Sequence, residues 1–250
     1  MQPELRYPLD WRFIMKHLVA PVKNVTRLSV AFQALADRDY GVPGIGLLYG
    51  FTGAGKTTAV TQLINRNNGV YVRANAVWTP SAMLSTIVNE LGGVSMGKNA
   101  QMVSFIVEQL AISGRPLFVD EADYLLPNLK MLETLRDLHD MAGTPVVLIG
   151  MDGIQRRIIS RQQFTRRITQ WVEFKPLDDE DGRTLTDAVC DVKVQDDLVE
   201  KLRDAAKGSV GLMTVGLSRI EAFAKSQGLS EIDSARWGKR DFFLGKAPKN

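Results

Sequence analysis

Short apolar runs punctuate the chain at Ile45–Tyr49, Val70–Val72, Leu117–Val119, Val146–Ile149 and Val172–Phe174. Each has the length of a strand. Most are continuous rather than alternating, as strands buried on both faces are. Helical patterns separate them, so the order predicts five parallel strands in an α/β sheet flanked by helices. Thr79-Pro80 reads as an N-cap followed by proline in the first turn, opening a helix that stops at Gly92-Gly93. A second amphipathic stretch, Gln101–Ile112, closes at Ser113-Gly114.

After Phe174 the texture changes. Lys175-Pro176 leads into the acidic segment Leu177–Gly182, and two or three helices with no strand signal follow to about Gln227. This predicts a small C-terminal helical lid. The last stretch, 230–250, is short and basic, with Arg236, Lys239, Arg240, Lys246 and Lys249 against Glu231, Asp233 and Asp241. The expected organisation is an extension over 1–24, a core over 25–176, a lid over 177–229 and a basic tail over 230–250.

Composition narrows the class. An apolar share of 45% over 250 residues supports a real core, and a net charge of +3 gives no global argument for a polyanion partner. Cys190 is the single cysteine, which favours a reducing compartment. No apolar run reaches bilayer length, and the first residues lack the basic-then-apolar order of a signal peptide. The expectation is a cytoplasmic protein with no membrane partner. His17 and His139 have no partner at metal-ligand spacing.

The chemistry begins at Gly50-Phe51-Thr52-Gly53-Ala54-Gly55-Lys56-Thr57, a full match to the P-loop pattern placed between a strand and a helix. Glycines let successive N–H groups face one concavity, and the helix start adds free donors and a positive dipole end. Lys56 is expected on the β- and γ-phosphates of ATP and the Thr57 hydroxyl on Mg²⁺. Thr58 joins the nucleotide cradle but not the metal. The run Pro116–Asp123 then delivers two acids at a strand end. Asp120 is assigned to the nucleotide and its Mg²⁺, and Glu121 to activation of the attacking water. Asp123 is expected to be structural, capping the next helix.

A third element is the arginine run Arg156, Arg157, Arg161, Arg166 and Arg167. An arginine supplied by a neighbouring subunit can stabilise charge developing on the γ-phosphoryl group, and Arg166 and Arg167 are the candidates.

P-loop, acid pair, strand near Gly150, arginine segment and helical lid together resemble the AAA+ ATPases. The stretches Val70–Ala74, Trp78–Pro80, Leu91-Gly92 and Val147–Met151 resemble the transposition ATPases related to MuB, TnsC and TniB, over roughly residues 25–225. That resemblance implies ATP-dependent rings or helical filaments on double-stranded DNA, target selection, recruitment of a transposase, and hydrolysis that dismantles the assembly. Two departures stand out. Gly150 and Met151 occupy the place of a polar sensor at the end of the fourth strand, and the segment Gly208–Leu212 lacks the lid's sensor arginine. Both point to slow, conditional hydrolysis. Lys98 and Asn99 on a glycine-flexed loop, and Lys130 beyond the acid pair, are the expected phosphate contacts with DNA. The aromatics Trp237, Phe242 and Phe243 argue that the tail docks on something. Three alternatives stay open: a helicase-loader or replication-initiation ATPase, a P-loop kinase, and a module that binds ATP only to oligomerise.

Overall fold

The computed structural model describes residues 19–39 and 41–243. His17 and most of the 1–24 extension, together with Lys246 and Lys249, lie outside the described residues. The chain divides into two compact units, one over Pro21–Pro176 and one that includes Leu177 onward.

In the first unit, helix α1 (Lys23–Ala36) precedes β1 (Ile45–Gly50), α2 (Lys56–Asn67), β2 (Val70–Arg73), α3 (Pro80–Glu90), α4 (Asn99–Ser113) and β3 (Leu117–Asp120). A 3₁₀ turn (Ala122–Leu125), α5 (Leu129–Ala142), β4 (Val146–Met151), the short helices α6 (Ile154–Ile159) and α7 (Gln162–Thr165), and β5 (Ile168–Phe174) complete it. All five strands are parallel, in the order β2-β3-β4-β1-β5. The expected α/β fold with a five-stranded parallel sheet is therefore present.

The apolar runs become strands because both faces of the sheet are covered. Leu117, Val146 and Leu148 face one core with α3, α4 and α5, while Leu48, Phe118 and Ile149 face another with α1 and α2. The exception is β5, which alternates between buried and exposed positions. Among the described residues it pairs only with β1, as the last strand in the sheet order. Alternation hid its first residues from a search for continuous runs, and the strand begins four residues earlier than expected.

Local chemistry sets the helix ends. The Thr79 hydroxyl accepts from Ala82 N at 3.2 Å, with Pro80 in the first turn. Gly114 and Gly143 close α4 and α5 in the left-handed conformation.

The second unit contains α8 (Asp179–Val189), β6 (Lys193–Val194), α9 (Asp196–Ala206), α10 (Val210–Ser226), β7 (Glu231–Ile232) and α11 (Ser234–Trp237). The three long helices match the expected lid. The expectation of no strand does not hold, because β6 and β7 form a two-residue parallel pair. Nor are residues 230–243 a loose tail. Trp237 is 1% exposed, stacks on Phe242 at 5.5 Å and meets Phe223 of α10 edge-on at 5.7 Å. The Arg240 guanidinium lies 4.0 Å over the Phe223 ring. The tail aromatics dock on their own unit. Cys190 caps the end of α8, where burial pushes its thiol up to about 12.

Candidate functional site

The parallel sheet carries its chemistry at the C-terminal ends of its strands, the place where open α/β sheets bind ligands. β1 ends at Gly50, whose backbone passes so close to β5 that an added Cβ would lie 2.6 Å from the Phe174 carbonyl oxygen. The first glycine of the loop thus serves sheet packing. Gly53 and Gly55, both at φ 84°, supply the left-handed turns that curl the loop into α2. Phe51 and Thr52 precede Gly53, Ala54 lies between the two glycines, and Thr57 and Thr58 occupy the first turn of α2 with their surfaces exposed.

Lys56 is buried and folds back over this loop, donating from Nζ to the Gly50 carbonyl at 2.7 Å and to the Phe51 carbonyl at 2.9 Å. Burial holds its pKa below the ordinary lysine value, while Asp120 and Glu121 oppose that shift. A compact cation held by two carbonyls above an open backbone concavity suits a polyphosphate.

β3 delivers the acids. Asp120 Oδ2 lies 3.2 Å from the Thr57 hydroxyl, which brings together the two groups expected at Mg²⁺. Its other oxygen accepts from Glu121 N at 2.8 Å. Among the described residues no cluster of three or more His, Cys, Asp or Glu could hold a metal. A hydroxyl beside one carboxylate fits a divalent cation that shares its shell with phosphate oxygens and water. Such a cation would supply charge neutralisation on the phosphates; Thr57 and Asp120 would orient it.

Glu121 sits at φ 54°, a left-handed backbone that side-chain-bearing residues rarely adopt. Its carboxylate pairs with Arg73 at 3.0 Å. Two residues earlier on the same strand, the Tyr71 hydroxyl donates to Asp120 Oδ2 at 2.9 Å. Burial, and then this bond, push the phenol up to about 12. Tyr71 and Arg73 are missing from the sequence-based site. The signal that could have found them is the position of β2: its register sets Arg73 opposite Asp120, and residues two apart share a face.

Asp123 is structural, but in a different way from that expected. It does not cap α5; the Asn128 side chain does that, accepting from Lys130 N. Asp123 instead accepts from Met151 N at 2.7 Å, tying the end of β4 to the acid loop. A Cβ on Gly150 would lie 2.8 Å from the same carboxylate and clash with Ile154. Ile154 and Asp123 thus fill the space that a side chain at Gly150 would need.

The remaining candidates are scattered. Arg167 is engaged within the chain, its guanidinium 2.9 Å from Asp140, whereas Arg166 is exposed without an ion pair among the described residues. Lys98, Asn99 and Lys130 are all exposed. His139 is buried and binds the backbone of Thr144 and Gly44, which removes it from any metal role.

Residues 39–158 match the protein family described as AAA domain. The ORC2 protein of Aeropyrum pernix, solved as ADPNP-ADP complexes, superposes with a TM-score of 0.68 at 17% identity, over 91% of this chain and 70% of that one. Cdc6p from Pyrobaculum aerophilum gives 0.58 at 16%, over 83% and 62%. The Aeropyrum pernix ORC1 protein, solved in complex with DNA, gives 0.58 at 18%, over 84% and 61%. The chain therefore spans less than two thirds of the latter two. No curated protein matches it in sequence. These likenesses show the fold: an α/β P-loop core of the AAA+ type. Among the described residues no helix is long and apolar enough to cross a membrane.

Proposed function

We propose that this protein is a DNA-dependent AAA+ ATPase that assembles on double-stranded DNA and regulates transposition. The observation that carries the enzymatic part is the convergence of Lys56, Thr57, Asp120 and Glu121 at the C-terminal ends of β1 and β3, with Thr57 and Asp120 3.2 Å apart. In this reading Lys56 and the loop N–H groups hold the ATP phosphates, Thr57 and Asp120 orient Mg²⁺, and Glu121 takes the proton of the attacking water. Glu121 favours hydrolysis over the kinase alternative, because a carboxylate beside the phosphates prepares water as the nucleophile.

Arg166 is the better trans finger of the two arginines, since Asp140 engages Arg167. The transposition assignment rests on the resemblance around Val70–Ala74 and Trp78–Pro80, and recruitment of a transposase is its consequence. The ORC2, Cdc6p and ORC1 likenesses support a second reading, replication initiation or helicase loading, only at the level of the shared fold.

The test is anisotropy with fluorescent duplex DNA and negative-stain imaging, in Mg²⁺ with no nucleotide, ADP, ATP or a non-hydrolysable analogue. ATP-dependent binding with rings or filaments is expected. A monomeric particle that binds no DNA in any nucleotide state would overturn the proposal. Glu121→Gln should slow turnover by about 10² to 10⁴-fold and prolong the DNA-bound state. Unchanged turnover would remove Glu121 from the mechanism.

A further inference from the structure

The segment 153–172 holds five arginines and no acidic residue. Its scaffold is packed on one side. Ile154, Ile158 and Phe164 are fully buried, and the Thr165 hydroxyl donates to the carbonyls of Ile158 at 2.8 Å and Arg161 at 2.9 Å, fastening α7 to the end of α6. Burying one face turns the charge outward. Arg167 is neutralised by Asp140, and Arg157 approaches Asp123 only at 3.9 Å. Arg156, Arg161 and Arg166 are exposed with no ion pair among the described residues.

Like charges gathered without counterions raise the energy of the free protein, and a polyanion laid across them removes that cost. Guanidinium groups suit phosphates, which they grip with paired N–H donors. Number decides between this face and the isolated lysines. Each phosphate neutralised adds about 0.9 to the slope of log affinity against log salt on duplex DNA. Lys98 and Lys130 offer single charges on separate elements, whereas α6–α7 carries Arg156 and Arg161 unpaired among the described residues, with Arg157 beside them.

We infer that the outer face of α6–α7, led by Arg156 and Arg161, is the principal duplex-DNA contact of this protein. The inference rests on the DNA-binding reading above and relocates its surface. Arg166 is left out of the test because of its place as a finger.

The experiment compares the full chain with Arg156→Glu/Arg161→Glu, with Arg156→Lys/Arg161→Lys and with Lys98→Glu. Each is loaded with a non-hydrolysable ATP analogue and titrated with fluorescent duplex DNA across a salt series. Nucleotide binding checks the fold, and Arg156→Gln/Arg161→Gln replaces the reversal if that variant unfolds. The double reversal should lose on the order of 10²-fold in affinity and about 2 in salt slope. The lysine pair should keep the slope, and Lys98→Glu should change it by no more than about 1. An unchanged affinity and slope in the double reversal, with wild type still binding, would overturn this inference and leave the DNA reading intact. Loss of nucleotide-dependent self-association without DNA would also overturn it, making the face a contact between copies. If wild type binds no duplex in any nucleotide state, both fall.

Discussion

Arg73 and Glu121 are joined across neighbouring strands by a 3.0 Å ion pair, so the residue proposed to activate water is held by a cation from β2. In this pairing the Glu121 carboxylate spends an oxygen on Arg73 rather than on a nucleophile. Arg73→Ala should therefore raise ATP turnover in the absence of DNA by several-fold, measured as phosphate release. Arg73 is well exposed, and exposed pairs contribute little to stability, so the unfolding midpoint should hardly move. Unchanged or reduced basal turnover would show that the pair does not restrain Glu121.

Tyr71 performs the matching task for Asp120. Its hydroxyl fixes the oxygen that also meets Thr57, and because its pKa is pushed up to about 12 it remains a donor at any working pH. Groups that orient a metal's ligands without touching the metal affect affinity by about 10–100-fold. Tyr71→Phe should raise the Mg²⁺ concentration for half-maximal ATPase activity by about 10-fold, with a smaller effect at saturating Mg²⁺. An unaltered Mg²⁺ dependence would mean that Asp120 is positioned by the backbone of Glu121 alone.

These two residues show where sequence reading stops. Lys56, Thr57, Asp120 and Glu121 announce themselves by spacing, because a phosphate cradle and an acid-tipped strand demand particular residues at particular intervals. Tyr71 and Arg73 belong to no such pattern. Their role comes from β2 lying beside β3, a pairing between positions 49 and 48 residues apart that periodicity along the chain does not encode. Asp123 shows the same limit: its partner is Met151 N, on a strand reached only through α5. Four of the five strands were legible because burial on both faces leaves a continuous apolar run, while alternation in β5 left only 172–174 visible. The β6–β7 pair was not, since two residues carry no period.

The basic residues after 230 look from composition like a free tail, but Trp237 anchors those within 230–243. Its ring is fully packed between Phe242 and Phe223, and its Nε1–H donates to the Arg240 carbonyl at 3.0 Å. Trp237→Ala should destabilise the unit over α8–α11 by about 3–5 kcal/mol, the range for removing a buried large aromatic side chain. Hydrogen exchange in α9 and α10 reads this out directly. Unaltered protection there would mean that 230–243 adds nothing to the unit's stability.

His139 makes stability depend on pH. It is 4% exposed at the end of α5, where Nε2 accepts from Gly44 N at 3.0 Å and Nδ1 meets the Thr144 carbonyl at 2.8 Å. That pattern requires a neutral ring protonated at Nδ1. Burial lowers its pKa below 6.5, and Arg38 and Arg167 nearby push in the same direction, against the Thr144 carbonyl and Asp140. Above 6.5 the ring is neutral in both folded and unfolded chains, and its contribution is complete. As pH falls below 6.5 the unfolded chain takes up the proton first, so stability declines until the lower folded pKa is passed. The slope contributed is at most about 1.4 kcal/mol per pH unit. Denaturant unfolding between about pH 7.5 and pH 5 should show this decline, starting near the ordinary histidine pKa. His139→Gln should be less stable at neutral pH, because Gly44 N or the Thr144 carbonyl loses a partner, yet its decline over the same window should be shallower. An equal decline in both proteins would assign the acid sensitivity to other groups.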